Sequence, residues 1–161
     1  MRTAVDAVLQ AAVTSRAVPA VVAMAADGNG EIYEGAAGTR AAGGSDPVTA
    51  DSIFRIASMT KVICTVAALQ QRQRGTLDFD APVETYVPEL RGWTYPTDDS
   101  AKLRVRDLLT HTAGFVTDDP WGDRQTPMPE AQFTRLLRDG VPFTRPPGTA
   151  MEYSNLGYAL L

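Results

Sequence analysis

A chain of 161 residues with 44% hydrophobic and 21% charged side chains has the make-up of a soluble globular protein and excludes a fibre or a disordered tail. A formal charge of −4 and a pI near 4.9 remove the clustered basic surface that phosphate neutralisation requires, so no nucleic-acid partner is expected. One cysteine, Cys64, and one histidine, His111, permit neither an internal disulfide nor a Cys/His zinc site, so no metal and no cofactor are expected.

The first residues place Asp6 where a signal peptide would need a continuous apolar run, and no stretch approaches the ~20 apolar residues that span a bilayer. The expectation is a cytoplasmic protein without a membrane partner. Val5, Val8, Leu9, Ala12 and Val13 have helical spacing over residues 3–15, and Pro19 follows. Residues 20–26 and 31–35, on either side of Asp27-Gly28-Asn29-Gly30, predict a β-hairpin. Residues 38–51, with three glycines and Pro47, predict a surface loop.

Residues 58–74 contain neither Pro nor Gly and stop at Gly75, which predicts a helix with a glycine C-cap. Its first half is apolar nearly all round and its second half is Gln70-Gln71-Arg72-Gln73-Arg74, so the helix is expected to start in the interior and end in water. Cys64 reads as a small core residue on it. Asp80-Ala81-Pro82 resembles an N-cap with an early proline. Short helices are predicted over residues 105–110 and 129–139, the second ended by Gly140.

The chemistry concentrates at Ser58-Met59-Thr60-Lys61. Three residues of helix rotation return Lys61 to the face of Ser58, within reach of its hydroxyl. The first N–H groups of a helix are unpaired and carry the positive dipole end, which favours an alkoxide or tetrahedral oxyanion. An amine acts as base only when it releases its proton, which apolar burial promotes and which arginine cannot do. The 15 cationic side chains comprise thirteen arginines and two lysines, Lys61 and Lys102, so a lysine on an apolar helix suggests a role in proton transfer. A plain N-cap serine followed by a solvated lysine accounts for these four residues equally well.

Further along stand Leu108-Leu109-Thr110-His111-Thr112-Ala113-Gly114, then Pro147-Gly148, then Tyr153-Ser154-Asn155-Leu156-Gly157-Tyr158. With Ser-x-x-Lys, and in this order, these segments resemble the class C β-lactamase and penicillin-binding protein superfamily, above all its esterase branch, the family VIII carboxylesterases. The resemblance runs from about Ala20 to the last residue.

It implies an α+β fold of the β-lactamase/transpeptidase type, an antiparallel sheet flanked by helices with a mostly helical part. Residues 1–161 would form the N-terminal part of that domain, helix and hairpin in 1–50, nucleophile helix and helical region in 51–161. It implies that Ser58 is acylated, that Lys61 accepts and relays its proton, and that Tyr153 is a second acid/base against both. Asn155 would orient Lys61 and substrate, and Trp121 or Tyr95 would wall the substrate pocket, although surface packing explains the two aromatics as well. His111 is expected to be a buried, hydrogen-bonded imidazole with a structural role, with a pH switch as the alternative.

Members of the superfamily are longer and carry a Lys-Thr-Gly or equivalent motif on a strand that gives the second oxyanion-hole donor. No Lys-Thr-Gly occurs in this chain. A single hairpin is marginal and leaves open edges, so the fold is expected to be incomplete here, with further strands from a second chain or a C-terminal part. The expected function is serine hydrolysis of small esters, or of β-lactams or amides, through an acyl-enzyme. A non-catalytic module that binds or senses a peptide or lactam is the alternative.

Overall fold

The computed structural model describes residues 2–117 and 128–161. Its contacts divide the chain into two compact units, Met1–Arg55 and Ile56–Leu161.

In the first unit, α1 (Arg2–Thr14) is followed by strands β1 (Ala20–Asp27) and β2 (Gly30–Gly38), an antiparallel pair in which Val22 faces Ala36 and a bulge falls between Ala25 and Ala26. Asp27 Oδ1 accepts the Asn29 N–H at 2.7 Å, and Gly30 takes φ 126°, so the turn formers read from the sequence do close the hairpin. Strand alternation sends Val21, Ala23, Tyr33 and Ala37 toward α1, where Leu9 is buried against them. The Tyr33 hydroxyl donates to Asp6 Oδ1 at 2.8 Å and ties β2 to the helix. The opposite sheet face leaves Met24 and Ile32 exposed.

The second unit opens on a 3-10 turn, Ala57–Met59, which runs into α2 (Thr60–Gln73). Short helices α3 (Val105–Leu109), α4 (Glu130–Asp139) and α5 (Asn155–Leu160) follow the 3-10 turns Val83–Thr85 and Pro88–Gly92. Leu90, Leu103, Leu108, Phe115 and Leu156 form the centre of one apolar core. Trp93 meets Phe115 and Phe143 edge-on, and its indole N–H donates to the Leu137 carbonyl at 2.6 Å, so α4 docks through a satisfied polar group.

The expectation that α2 starts in the interior is not met. Met59, Val62, Ile63 and Val66 are 68%, 67%, 61% and 50% exposed, while Ala68 is the residue of α2 that enters the core. The helix is apolar on more than one side, and among the described residues only one of those sides is covered. Nor does Asp80 cap a helix: the 3-10 turn starts after Pro82, and the Asp80 carboxylate pairs with Arg106 at 2.6 Å.

Two segments are laced together ahead of α5. Thr144 N–H donates to the Gly114 carbonyl (2.8 Å), Gly148 N–H to Thr112 (2.7 Å) and Glu152 N–H to His111 (2.7 Å). Gly114 has φ 80° and lies so close to the Arg145 carbonyl that no Cβ fits. Asp107, 2% exposed, anchors the first segment by accepting from Arg104 N (2.9 Å), Arg104 Nε (3.2 Å) and the Thr112 hydroxyl (3.2 Å). Asp107→Ala is expected to cost about 2–3 kcal/mol, since it removes charge-assisted bonds around a buried carboxylate. Urea unfolding of the purified variant checks it, and an unchanged midpoint would contradict the anchoring role.

Candidate active site

Ser58 is the middle residue of the 3-10 turn, exposed, and preceded by Ala57 in the left-handed region (φ 45°). That conformation costs a non-glycine residue about 1–2 kcal/mol. The turn places Ser58 just ahead of α2 rather than inside it, where the first N–H groups of the helical run lie. Lys61 is half-buried in the first turn of α2.

Tyr153 arrives from the laced segment. Its hydroxyl and Ser58 Oγ share a hydrogen bond of 2.6 Å across 95 positions of sequence. Tyr153 Oη also donates to Asn155 Oδ1 at 3.3 Å, and in that arrangement the shared proton is the one that Ser58 donates to Tyr153. Lys61 Nζ donates to the same Asn155 Oδ1 at 2.6 Å. The ammonium lies 4.8 Å from the centre of the Tyr153 ring and 5.4 Å from that of Tyr158, two aromatic faces that attract a cation.

Ser58, Lys61, Tyr153 and Asn155 are thus brought together. Ser58 Oγ bonds Tyr153, and Lys61 is engaged by Asn155. Trp121 lies outside the described residues. Tyr95 stacks on Phe143 at 5.1 Å and its hydroxyl accepts the Leu103 N–H at 3.1 Å, so it packs on the core. Cys64 is a free, half-buried thiol on α2.

Two contributors, Tyr158 and Thr65, were not identified by sequence reasoning. Tyr158 shares a face of α5 with Asn155 at a spacing of three, a signal the sequence did contain. Its hydroxyl donates to the Leu109 carbonyl at 3.2 Å and bonds Thr65 Oγ1 at 3.0 Å, and Thr65 in turn donates to the Lys61 carbonyl at 2.8 Å. His111, read as a structural imidazole, is half-buried and hydrogen-bonded, and its ring stacks on Tyr153 with centroids 4.6 Å apart. Burial first, and then the Lys61 charge, push it below its ordinary value of 6.5.

The sequence matches the Beta-lactamase family over residues 5–161. The chain belongs to that family. A beta-lactamase-like protein, str5, of Strobilurus tenacellus is 32% identical over 89% of the chain, and esterase EstB of Burkholderia gladioli 37% identical over 68%. A class C β-lactamase structure covers 98% of the chain at 28% identity with a TM-score of 0.75. The chain spans 62% of the Strobilurus protein, 28% of EstB and 41% of that β-lactamase. Relatives and solved neighbours of this β-lactamase-family chain are serine hydrolases and acyltransferases, among them esterases, β-lactamases and an amidase. The fold is of the β-lactamase/transpeptidase type, present here as its helices and a two-stranded antiparallel sheet. Among the described residues no group of three or more His, Cys, Asp or Glu could hold a metal, and no helix is long and apolar enough to cross a membrane.

Glu152, next to the catalytic candidate Tyr153, accepts from Thr117 Oγ1 (2.9 Å), Thr117 N (3.1 Å) and Thr144 Oγ1 (3.2 Å), and pairs with Arg145 at 2.7 Å. The Thr117 hydroxyl bond is the largest of the causes that hold its carboxyl below the ordinary value of 4.5, aided by the Thr117 N–H and the Arg145 charge. A depressed carboxylate adds stability that is complete above its unfolded value and is lost as pH falls through the folded one. Glu152→Gln is therefore expected to melt below the wild type at neutral pH and to approach it as pH drops below about 4.5. Thermal melts across that range check it, and a constant gap would contradict it.

Proposed function

We propose that this chain carries the nucleophile and the proton-handling groups of a serine hydrolase that cleaves small esters through an acyl-enzyme, with lactams and amides as neighbouring substrates. The observation that carries the reading is the 2.6 Å bond between Ser58 Oγ and Tyr153 Oη, with Lys61 held on Asn155 beside it. Ser58 Oγ attacks the ester carbonyl carbon, its proton passes to Tyr153 in its phenolate form, without the proton that it donates to Asn155 in the resting arrangement, and the resulting oxyanion faces the N–H groups at the start of α2. Tyr153 then returns the proton to the leaving alkoxide. The Lys61 ammonium compensates the negative charge that Tyr153 carries as phenolate before it takes the proton and again after it returns it. The 37% identity to EstB supports placing the chain in the esterase branch, the family VIII carboxylesterases.

The exposed apolar side of α2 supports a second element of the reading, that further strands from a C-terminal part or a second chain cover it and complete the oxyanion hole. A contiguous apolar strip on a helix is a surface made for a partner. A missing oxyanion donor costs about 10²–10³ in rate.

Intact mass after incubation with a fluorophosphonate tests both elements. Protein carrying its natural continuation or partner is expected to gain one adduct, on Ser58, and residues 1–161 alone to label at least about 10²-fold more slowly. Ser58→Ala should abolish the adduct, and Tyr153→Phe should slow it by about 10²–10⁴. Equal labelling of the short chain would sink the completion, and labelling of neither form would leave the non-catalytic binding module.

A further inference from the structure

His111 stands outside the proton path, yet it touches the segment that carries Tyr153 in three ways. Its carbonyl accepts the Glu152 N–H at 2.7 Å, its Nδ1 accepts the Ser154 N–H at 3.2 Å, and its ring lies on the Tyr153 ring with planes 30° apart. The two bonds take the main-chain N–H groups of the residues just before and just after the tyrosine, so backbone and ring are both held. His111 keeps a left-handed backbone (φ 58°), a conformation that His and Asn tolerate better than most side chains.

We propose that His111 is a positioning residue that holds Tyr153 against Ser58 only while its imidazole is neutral, which makes the hydrolase sensitive to acid. This rests on the serine-hydrolase reading. A ring nitrogen that accepts an N–H has its lone pair free, so the single ring proton sits on Nε2. A proton added at Nδ1 breaks the bond to Ser154 and sets a second cation beside Lys61, which lies 4.8 Å from the centre of the ring on which His111 stacks.

The groups around the imidazole agree. Lys61 faces it from α2, Tyr153 from the segment leading into α5, and Tyr158 from α5 itself, with its ring at 5.2 Å. The carboxylates that could favour an imidazolium are committed: Asp107 of α3 to Arg104 and Thr112, Glu152 to Arg145, Thr117 and Thr144. Burial and Lys61 depress the imidazole below 6.5, so the hold is complete above that value and is lost as pH falls through the lower folded one.

The test is the labelling rate of Ser58 by a fluorophosphonate in the complete protein, from about pH 4.5 to 8. The wild type is expected to lose rate on an acid limb centred below 6.5, and the His111 imidazole, followed by NMR, to titrate with the same midpoint. His111→Asn accepts the left-handed backbone and offers an uncharged acceptor to Ser154, so it should keep the neutral-pH rate within about tenfold and lose that limb. His111→Ala should lower the rate at every pH by about 10–10²-fold.

A folded Asn variant with the wild-type limb overturns the proposal, as does a kinetic midpoint more than about one unit from the NMR midpoint. If Ser58 takes no label at any pH, the hydrolase reading fails by itself. The positioning claim is then judged on Tyr153 ring resonances, which must follow the His111 titration and overturn it if they do not.

Discussion

Everything at this site depends on one hydrogen bond that closes 95 positions of chain, from Ser58 at the mouth of α2 to Tyr153 ahead of α5. Closing a loop of that size has an entropy cost that one hydrogen bond does not offset. The contact therefore has to be delivered by structure assembled for other reasons. The apolar core around Leu108, Phe115 and Leu156 provides it, because α3 and α5 pack through that core. The main-chain bonds from Gly114, Thr112 and His111 to residues 144, 148 and 152 then set the height at which Tyr153 emerges.

Charge is arranged with the same economy. Asn155 Oδ1 receives both Lys61 Nζ and the Tyr153 hydroxyl, so one carboxamide sets the distance between the cation and the phenol. Two tyrosine faces flank the ammonium, and Thr65 links the Lys61 carbonyl to the Tyr158 hydroxyl. In the proposed mechanism a cation fixed in this way is already oriented when Tyr153 returns its proton and becomes negative, which is where electrostatic catalysis gains most. That mechanism has the tyrosine that touches the serine take its proton, a role that the resemblance gives first to Lys61.

Local signals were the legible part of this chain. The hairpin followed from Asp27-Gly28-Asn29-Gly30, α1 from its apolar stripe, and the ends of α2 and α4 from Gly75 and Gly140, both at positive φ. Each is decided within a few residues by turn chemistry or helical period. The grouping of Ser58, Lys61, Tyr153 and Asn155 came from the order of motifs, since no local rule brings residue 153 to residue 58. What escaped were left-handed backbones at Ala57 and His111, which tertiary contacts impose on residues with no strong turn preference, and Tyr158, whose role appears only once Lys61 is placed above it. The burial of α2 was misjudged for a related reason. Apolar composition reports that a surface is meant to be covered, and says nothing of what covers it.

On the proposed reading, that uncovered face bears on catalysis as well as on stability. Met59 closes the 3-10 turn that carries Ser58, and Val62 and Lys61 belong to the first turn of α2, so whatever seats these apolar side chains also sets the rotation of the segment that presents Ser58 and Lys61. A shift of about 1 Å in a catalytic group can cost 10²-fold in rate. Strands packed on this face would therefore tighten the 2.6 Å contact to Tyr153 and the 2.6 Å contact to Asn155 together, through one rigid helix. On the proposed completion, the oxyanion donor that the strands would contribute and the order they would impose on α2 are two effects of one packing event.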